Sequence, residues 1–188
     1  MEIKGYIQKS IDLKNAILNN ELLISNIQKA VDMIISAYQN NKKVLIMGNG
    51  GSASDSNHIA AEFVSRFMFD RNPLPAISLS CNQSVLTAIG NDYSFSDIFS
   101  RQIDALASNG DVVIGISTSG KSANVIKGFQ KAKEKNLNTI FFSGENYDFE
   151  ADCAICVPSC ETSVIQEVHI MIAHIICGCV EEALFKKV

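Results

Sequence analysis

The chain has 188 residues, 47% of them hydrophobic, which is enough for one fully cored domain and too few for two ordinary ones. Its formal net charge is −4, its pI is near 5.4, and its lysines and arginines are not clustered. This pattern excludes the basic surface that binding to nucleic acid or to an anionic membrane requires.

The start of the chain, residues 1–14, intersperses charged side chains among apolar ones. No stretch of the sequence is expected to reach the apolar length that spans a bilayer. The sequence therefore predicts a cytoplasmic protein with no membrane partner.

Residues 1–41 are a predicted helical region. Apolar side chains recur mainly at helical spacing from Ile3 to Tyr38, and Asn19-Asn20 is a candidate break. Because this region precedes the first strand, its apolar stripe must be covered by the rest of the domain or by another subunit. Oligomerisation through the N-terminal helices is therefore a hypothesis.

Residues 42–188 have the pattern of an α/β core. Short apolar runs alternate with stretches long enough for a helical crossover, which is typical of a parallel sheet buried on both faces. The predicted strands are Val44–Met47, Ala76–Leu79, Val112–Ile116, Thr139–Ser143 and Cys153–Val157. The predicted helices are roughly Ala53–Phe69, Phe95–Ser108, Ala123–Lys135 and Ser163–Phe185. We expect a single domain, residues 1–188, whose five-stranded parallel sheet is flanked by helices in three flavodoxin-like layers.

The six cysteines do not predict a metal site or a disulfide. Cys153, Cys156 and Cys160 lie in or beside a predicted strand, where the first two point to opposite faces. They are interpreted as core cysteines. Cys177 and Cys179 are two apart on a predicted helix and diverge by about 200° around it.

Two polar loops each leave an apolar strand and enter a predicted helix. The glycine loop is residues 48–52, Gly-Asn-Gly-Gly-Ser, and the serine loop is residues 117–122, Ser-Thr-Ser-Gly-Lys-Ser. Such a loop directs backbone N–H groups, hydroxyls and the positive end of a helix dipole at one point, which suits a phosphate. Because open parallel sheets bind ligands outside the carboxyl ends of their strands, the two loops predict a phosphorylated small molecule there.

Three interpretations of these loops compete. Residues 115–122 match the nucleotide-binding pattern G-x-x-x-x-G-K-[ST], but Gly115 lies inside its apolar run and neither later strand ends in an Asp that would help to hold Mg²⁺. A dinucleotide fold fits poorly, because Ala53 stands where its third glycine belongs. The favoured ligand is a sugar monophosphate. The serine loop offers it the hydroxyls of Ser117, Thr118, Ser119 and Ser122, while Asn49, Gly50 and Gly51 bound the sugar.

Several motifs follow one another along the chain. They are 48–52 (GNGGS), Asp55, 58–62 (HIAAE), 90–92 (GND), 116–126 (ISTSGKSANVI), 166–169 (QEVH) and His174. This order covers nearly the whole chain and resembles the phosphoheptose isomerase family of the sugar isomerase (SIS) superfamily. Its members typically convert sedoheptulose 7-phosphate into D-glycero-D-manno-heptose 7-phosphate, the first step toward the heptose of the lipopolysaccharide core. Family members commonly have Asn where Lys121 stands, which supports treating the nucleotide-binding pattern as coincidence.

The implied reaction moves a proton between neighbouring carbons of a sugar through an enediol. It requires a carboxylate base and a second acid–base group. The resemblance implies that Glu62 is the carbon base and that His174 moves protons at the oxygens. From the residues alone, Glu62 also fits an exposed helix position, and His174 fits a hydrogen-bonded core histidine in the apolar run Ile170–Ile176.

A metal site is also implied. His58 and Glu62 are four residues apart on a predicted helix, so both can point at one ion. In the family, one zinc ion per subunit can be held by residues matching His58, Glu62, Gln166 and His174. Gln166 and His174 are two turns apart, about 12 Å of rise and 80° of rotation, so they must lean together or come from different subunits.

Some of these residues have structural interpretations as well. Ser163 and Gln166 fit a capping box at the start of the last helix, and Ser52 and Asp55 fit another cap. His169 is about 140° from His174 around the helix, which indicates a structural or supporting role.

The resemblance implies further substrate contacts and an oligomer. Asn91 and Asp92, in a predicted polar turn, match positions that contact the substrate, as do Glu62 and Gln166. The family forms homotetramers with sites between subunits. Two alternatives stay open: a non-catalytic SIS protein that binds a sugar phosphate or a partner protein, and an isomerase for another sugar phosphate such as arabinose 5-phosphate. The non-catalytic relatives lack the pair of Glu62 and His174, so its presence favours an enzyme.

Overall fold

Two helices precede the sheet. In this computed structural model, which describes residues 2–145, 147 and 149–186, α1 covers Ile3–Leu18 and α2 covers Glu21–Gln39. The chain breaks between them because the side chain of Asn20 accepts a hydrogen bond from the backbone N–H of Leu23 and so caps α2. The predicted break at Asn19-Asn20 is confirmed.

The two N-terminal helices differ in how far this chain covers them. α2 packs against the C-terminal part of the chain and is buried along one face. In contrast, α1 buries Leu13 and Ile17 but leaves Ile3, Ile7 and Ile11 exposed. The apolar stripe is therefore covered over most of α2, apart from Leu22 and Ile24, and only near the end of α1.

The sheet has five strands: β1 Val44–Gly48, β2 Ala76–Ser78, β3 Val112–Ser117, β4 Asn138–Ser143 and β5 Cys153–Cys156. Their order is β2-β1-β3-β4-β5, and every neighbouring pair is parallel. This is the order of flavodoxin-like folds. The predicted α/β fold is confirmed, and each predicted strand differs from the observed one by a single residue at one end.

Helices cover both faces of the sheet. They are α3 Gly51–Val64, α4 Gln83–Asp92, α5 Ser100–Leu106, α6 Ala123–Glu134 and α7 Thr162–Phe185. Strand side chains alternate between two cores. Val44 and Ile46 pack with residues of α2, α3 and α7, whereas Leu45 and Met47 pack with residues of α5 and α6. This alternation produces the three predicted layers.

The strand register brings the two polar loops side by side. Gly48 at the end of β1 pairs with Ile116 of β3, so both loops leave the same edge of the sheet from neighbouring strands. The strand order also reverses between β1 and β3, which is where open α/β sheets bind their ligands.

The region between β2 and β3 departs from the prediction. No helix is predicted at residues 83–92, where α4 lies, and α4 buries none of its residues, so its sequence lacks a strong core pattern. Asn91 and Asp92 therefore lie in the last turn of a helix, not in a polar turn. The predicted helix Phe95–Ser108 is divided into a 3₁₀ turn, Phe95–Asp97, and α5.

Helix α3 is shorter than predicted. It ends at Val64 instead of Phe69, because Ser65 leaves the helical conformation with φ −85° and ψ −99°. The residues that follow form an irregular segment that returns to the sheet at β2.

The six cysteines are free thiols. Cys153 is buried as predicted, whereas Cys156 is partly buried and Cys160 is exposed. The core interpretation of Cys160 is wrong because β5 ends at Cys156 and leaves Cys160 in the following loop.

The last helix, α7, has 24 residues, and an 18-residue stretch of it has a mean hydropathy of 1.6. By length and composition it could cross a membrane, so the expectation that no stretch reaches this length is wrong. Half of that stretch is buried inside the fold. The core helix of an α/β domain meets the same criterion because it packs on more than one side.

Candidate active site

The glycine loop turns directly from β1 into α3. Gly50 precedes the helix at φ 55° and ψ −122°, a conformation that favours glycine. Gly48 has no room for a side chain, since a Cβ there would lie 2.5 Å from the backbone oxygen of Ser52. The two glycines thus permit a tight turn that leaves the first N–H groups of α3 at the carboxyl edge of the sheet.

Three titratable side chains from α3 and α7 meet between these two helices, about 10 to 17 Å along α3 from the glycine loop. Nε2 of His58 lies 2.9 Å from Nε2 of His174 and 3.4 Å from Oε1 of Glu62. One ligand atom from each residue lies within 4.8 Å of the others. We call this group the His–Glu–His cluster. The predicted convergence of His58 and Glu62 from one helix face is confirmed, and α7 brings His174 to the same point.

The surroundings of the cluster are partly apolar. Phe67 stacks on the ring of His174, with 5.5 Å between ring centroids and 27° between planes. Cys177, one turn after His174 on α7, is buried, and burial and, secondarily, the negative charge of Glu62 raise the pKa of its thiol to about 12. The Cys177 thiol therefore stays protonated beside Glu62, which leaves the imidazoles and the carboxylate as the available ligands.

The serine loop directs hydroxyls to the start of α6. The hydroxyls of Ser117 and Ser122 are 2.9 Å apart, and Oγ of Ser119 accepts a hydrogen bond from the backbone N–H of Lys121. The loop closes through Gly120, which has a positive φ of 67° and donates its N–H to the carbonyl of Ser117. Ser122 occupies the position before α6 without capping it through its side chain, so hydroxyls and a helix N-terminus meet in one short segment.

A reciprocal amide pair joins the two loops. Nδ2 of Asn49 donates to Oδ1 of Asn124, and Nδ2 of Asn124 donates to Oδ1 of Asn49, each at 2.8 Å. Asn124 is buried in the first turn of α6. Its role is not predicted from the sequence, where it is only one residue of the motif at 116–126. The pair fixes the spacing between the glycine and serine loops.

The nucleotide-binding interpretation of residues 115–122 is excluded by the position of Gly115. This residue lies within β3, and a Cβ added to it would collide with the ring of Phe129 on α6. Gly115 is therefore a packing glycine below the loop, not the first residue of a phosphate cradle.

Gln166 reaches from α7 to the glycine loop. A Cβ on Gly51 would lie 2.5 Å from Nε2 of Gln166, so the absence of a side chain at Gly51 makes room for this amide. The predicted capping box of Ser163 and Gln166 is wrong, because the residue that precedes α7 is Glu161 and Ser163 already lies inside the helix.

The second predicted cap is wrong as well. Gly50 precedes α3, which places Ser52 inside the first turn, where it is buried. Oδ2 of Asp55 is buried and has no hydrogen-bond partner among the described residues. Burial raises the pKa of the Asp55 carboxyl, and the nearby His58 opposes that rise.

Asn91 and Asp92 lie exposed in the last turn of α4, where Nδ2 of Asn91 donates to Oδ1 of Asp92 at 2.8 Å. His169 lies on the other side of α7 from the cluster. It is buried, with Nε2 at 3.1 Å from the carbonyl of Ser143 and its ring against Phe142. Burial lowers the pKa of His169 to about 4, so this histidine is a neutral core residue.

Comparison with known proteins agrees with this arrangement. The SIS domain family matches residues 5–144. A phosphoheptose isomerase of Clostridium acetobutylicum is 53% identical over 187 residues, which are 97% of this chain and 95% of the relative. Phosphoheptose isomerase 2 of Campylobacter jejuni is 50% identical over 98% of this chain and 94% of its own length.

Solved structures of similar proteins have the same fold. A phosphoheptose isomerase from Neisseria gonorrhoeae superposes with a TM-score of 0.88 at 36% identity, over 96% of this chain and 97% of that one. One from Francisella tularensis superposes with a TM-score of 0.89 at 32% identity, over 96% of each chain. With its sheet order, its two polar loops and its His–Glu–His cluster, this chain belongs to the phosphoheptose isomerase family of SIS domain proteins.

Proposed function

We propose that the protein interconverts sedoheptulose 7-phosphate and D-glycero-D-manno-heptose 7-phosphate. The observation that carries the proposal is the convergence of His58, Glu62 and His174 in a chain that also has a serine loop suited to phosphate. A phosphate-binding loop together with an acid–base cluster suits an enzyme that isomerises a phosphorylated sugar. Relatives about 50% identical over nearly the full chain are named for this activity.

The phosphate is assigned to the serine loop. The hydroxyls of Ser117, Thr118, Ser119 and Ser122 and the first N–H groups of α6 would bind its oxygens. The hydrogen bond between the hydroxyls of Ser117 and Ser122 supports this role, because it holds two donors together before the ligand arrives.

The sugar chain is assigned to the carboxyl edge of the sheet beside the glycine loop, where the His–Glu–His cluster of a neighbouring subunit would complete the site. Asn49, Gly50 and Gly51 would bound it on one side, and the amide of Gln166, which lies against Gly51, would bind a hydroxyl. Asn91 and Asp92 at the end of α4 would supply further hydrogen bonds to the substrate.

Glu62 is assigned the carbon proton. Its carboxylate removes a proton from C1 of the ketose, the C1–C2 double bond of the enediol forms, and the carbonyl oxygen at C2 takes up a proton. The C1 hydroxyl then loses its proton, and Glu62 returns a proton to C2, which leaves an aldehyde at C1. His174 moves the protons at the oxygens, and the contact between the imidazoles of His58 and His174 orients it.

The donor set of the cluster fits a zinc ion. Two imidazole nitrogens and a carboxylate oxygen lie within 4.8 Å of one another, and these are ligand types that zinc prefers. His58, Glu62 and His174 would hold one ion per subunit, and Gln166, which lies two turns from His174 on α7, would be a fourth ligand from another subunit. Because a ligating carboxylate is a weaker base, Glu62 would leave the ion when it takes the carbon proton. When bound, zinc supplies Lewis-acid polarisation of the sugar carbonyl and stabilises negative charge on its oxygen.

Assembly and location are part of the same proposal. Ile3, Ile7 and Ile11 recur every four residues on the exposed side of α1, which supports contact between subunits through the N-terminal helices. The homotetramer with sites between subunits is what the family resemblance implies. We further infer that the enzyme works in the cytoplasm and supplies heptose for lipopolysaccharide core or another surface glycan.

The test is turnover by the purified protein, with sedoheptulose 7-phosphate and arabinose 5-phosphate as separate substrates. We expect heptose 7-phosphate to form, with a higher kcat/KM than for the pentose. The Glu62→Gln variant, purified in parallel, controls for a contaminating isomerase. Conversion of the pentose alone would favour an isomerase for another sugar phosphate, and ligand binding without any turnover would favour a non-catalytic binding protein.

A further inference from the structure

A buried ion pair lies beside the end of α3, the helix that carries His58 and Glu62. Nε of Arg71 donates to Oε1 of Glu181 at 3.0 Å, and the two side chains are 2% and 1% exposed. Arg71 lies in the segment after α3, and Glu181 is on α7, so the pair connects the two helices that carry the cluster.

The guanidinium also holds the backbone at the end of α3. Nη2 of Arg71 donates to the carbonyl of Glu62 at 2.8 Å, and Nη1 donates to the carbonyl of Phe63 at 2.6 Å. The last carbonyls of a helix have no partner within the helix, so these bonds fix the turn from which the Glu62 side chain projects. A planar guanidinium can do this and bind a carboxylate at once, whereas an ammonium group cannot match that geometry.

The carboxylate of Glu181 orders the segment that follows α3. Its two oxygens accept hydrogen bonds from the backbone N–H groups of Phe67 at 2.9 Å and Met68 at 2.6 Å. Burial alone would raise the pKa of this carboxyl. The hydrogen bonds from Phe67, Met68 and Arg71 outweigh burial and lower the pKa below its usual value, so Glu181 is held ionised. Phe67, fixed in this way, stacks on His174.

The geometry points to Arg71 and Glu181 as positioning residues of the active site: together they set where Glu62 and His174 stand relative to each other. Arg71 acts on the backbone of Glu62, and Glu181 acts on His174 through Phe67. Neither side chain belongs to the His–Glu–His cluster or to the proposed sugar contacts. The inference rests on the proposed isomerase activity for its kinetic part only.

A second ion pair, between Lys43 and Asp111 at the amino ends of β1 and β3, provides a control. Nζ of Lys43 lies 2.6 Å from Oδ2 of Asp111, whose side chain is 2% exposed and also accepts the backbone N–H of Ser108. Both pairs tie a loop to the fold through a carboxylate that binds backbone N–H groups. Asp111 precedes β3, so about 20 Å of strand separates it from the serine loop.

The experiment compares Arg71→Lys, Glu181→Gln and the control Asp111→Asn with wild type by thermal unfolding and steady-state kinetics. Arg71→Lys keeps the charge but loses the planar guanidinium. Glu181→Gln keeps the shape, but its amide N–H₂ group would face the backbone N–H of either Phe67 or Met68. We expect both to lower kcat by about 10- to 100-fold, the usual effect of displacing groups that orient an active site, with KM within about threefold. Asp111→Asn should lower the melting temperature but leave kcat within about twofold of wild type.

A second readout, titration with Co²⁺ followed by its visible absorption, does not depend on turnover. Arg71→Lys and Glu181→Gln should bind Co²⁺ about tenfold more weakly than wild type, and Asp111→Asn should bind it equally well. If the wild-type protein turns over the sugar and folded Arg71→Lys or Glu181→Gln has an unchanged kcat, the positioning role is overturned. The proposed function would then stay intact. A wild-type protein that binds Co²⁺ without turnover would refute the isomerase, and the Co²⁺ affinities would then decide the positioning role. If wild type neither turns over sugar nor binds Co²⁺, both proposals are wrong.

Discussion

The serine loop and the His–Glu–His cluster are built in opposite ways. The serine loop is one continuous segment that offers hydroxyls and backbone N–H groups beside the start of α6. The His–Glu–His cluster joins α3 to α7, and its two histidines are 116 positions apart in the chain. The contrast teaches that a phosphate site can be local in sequence, whereas acid–base chemistry needs groups that only the tertiary fold brings together.

This division implies separate kinetic signatures. Groups that act only in the transition state control kcat, whereas groups that hold the phosphate equally in the ground state and transition state control KM. Changes in the cluster and changes in the serine loop should therefore affect different constants.

The largest effect is expected at Glu62. Glu62→Gln removes the carbon base, so kcat should fall by at least about 100-fold, the lower end of what general-base groups contribute. The matched control is Glu182→Gln, which changes an exposed carboxylate on α7 that pairs with Lys186 at 2.9 Å and should retain wild-type kcat. Equal activity in the two variants would remove Glu62 from the mechanism.

The next effect concerns the metal. Dialysis against a chelator should lower kcat by at least about tenfold, and added zinc should restore it, because the ion polarises the carbonyl. His58→Ala, which removes one ligand, should require more zinc for half-maximal activity. Full activity of protein shown by elemental analysis to be metal-free would contradict the zinc proposal.

A smaller effect, confined to KM, is expected in the serine loop. Ser119→Ala removes one hydrogen bond to a charged phosphate, worth about 1.5–3 kcal/mol, so KM should rise about tenfold or more with kcat nearly unchanged. Ser36→Ala, at an exposed position on α2, is the control and should not change KM. A fall in kcat at constant KM would place Ser119 in the chemistry and break the division.

The last effect, on stability with none expected on turnover, concerns the histidine on α7 that faces the core. Burial lowers the pKa of His169 from 6.5 to about 4, so between these values the unfolded chain binds a proton that the folded chain does not. The free energy of unfolding should therefore decrease as the pH falls through this window, by up to about 3 kcal/mol from this residue. Denaturant unfolding at pH 7 and pH 4.5 should give a smaller decrease for His169→Gln than for wild type. Parallel decreases would show that His169 is protonated in the folded state.

Much of the fold follows from local patterns. Fully apolar runs such as Val112–Ile116 are specified by their burial on both faces of a sheet, and their spacing allows only helical crossovers. The same reasoning fails at α4, because a helix that buries none of its residues leaves no clear apolar pattern. It also fails at the helix starts, where Gly50 and Glu161 take the positions expected for a serine.

The candidate site is predictable in the same uneven way. The serine loop is visible in the sequence because its hydroxyls are adjacent. The spacing of His58 and Glu62 on one helix is visible in the sequence too. The position of His174 beside them is not, because it depends on how α7 packs against α3. The ion pair of Arg71 and Glu181, 110 positions apart, has no local signal, since each residue alone resembles an ordinary surface charge.

The division between chemistry and binding is tested most directly by calorimetric titration of the Glu62→Gln variant with sedoheptulose 7-phosphate. The phosphate is assigned to the serine loop, which this substitution does not touch. The predicted result is a dissociation constant within about threefold of the wild-type KM in a variant that no longer turns over. Loss of binding together with turnover would contradict it, because the cluster would then hold the substrate instead of only transforming it.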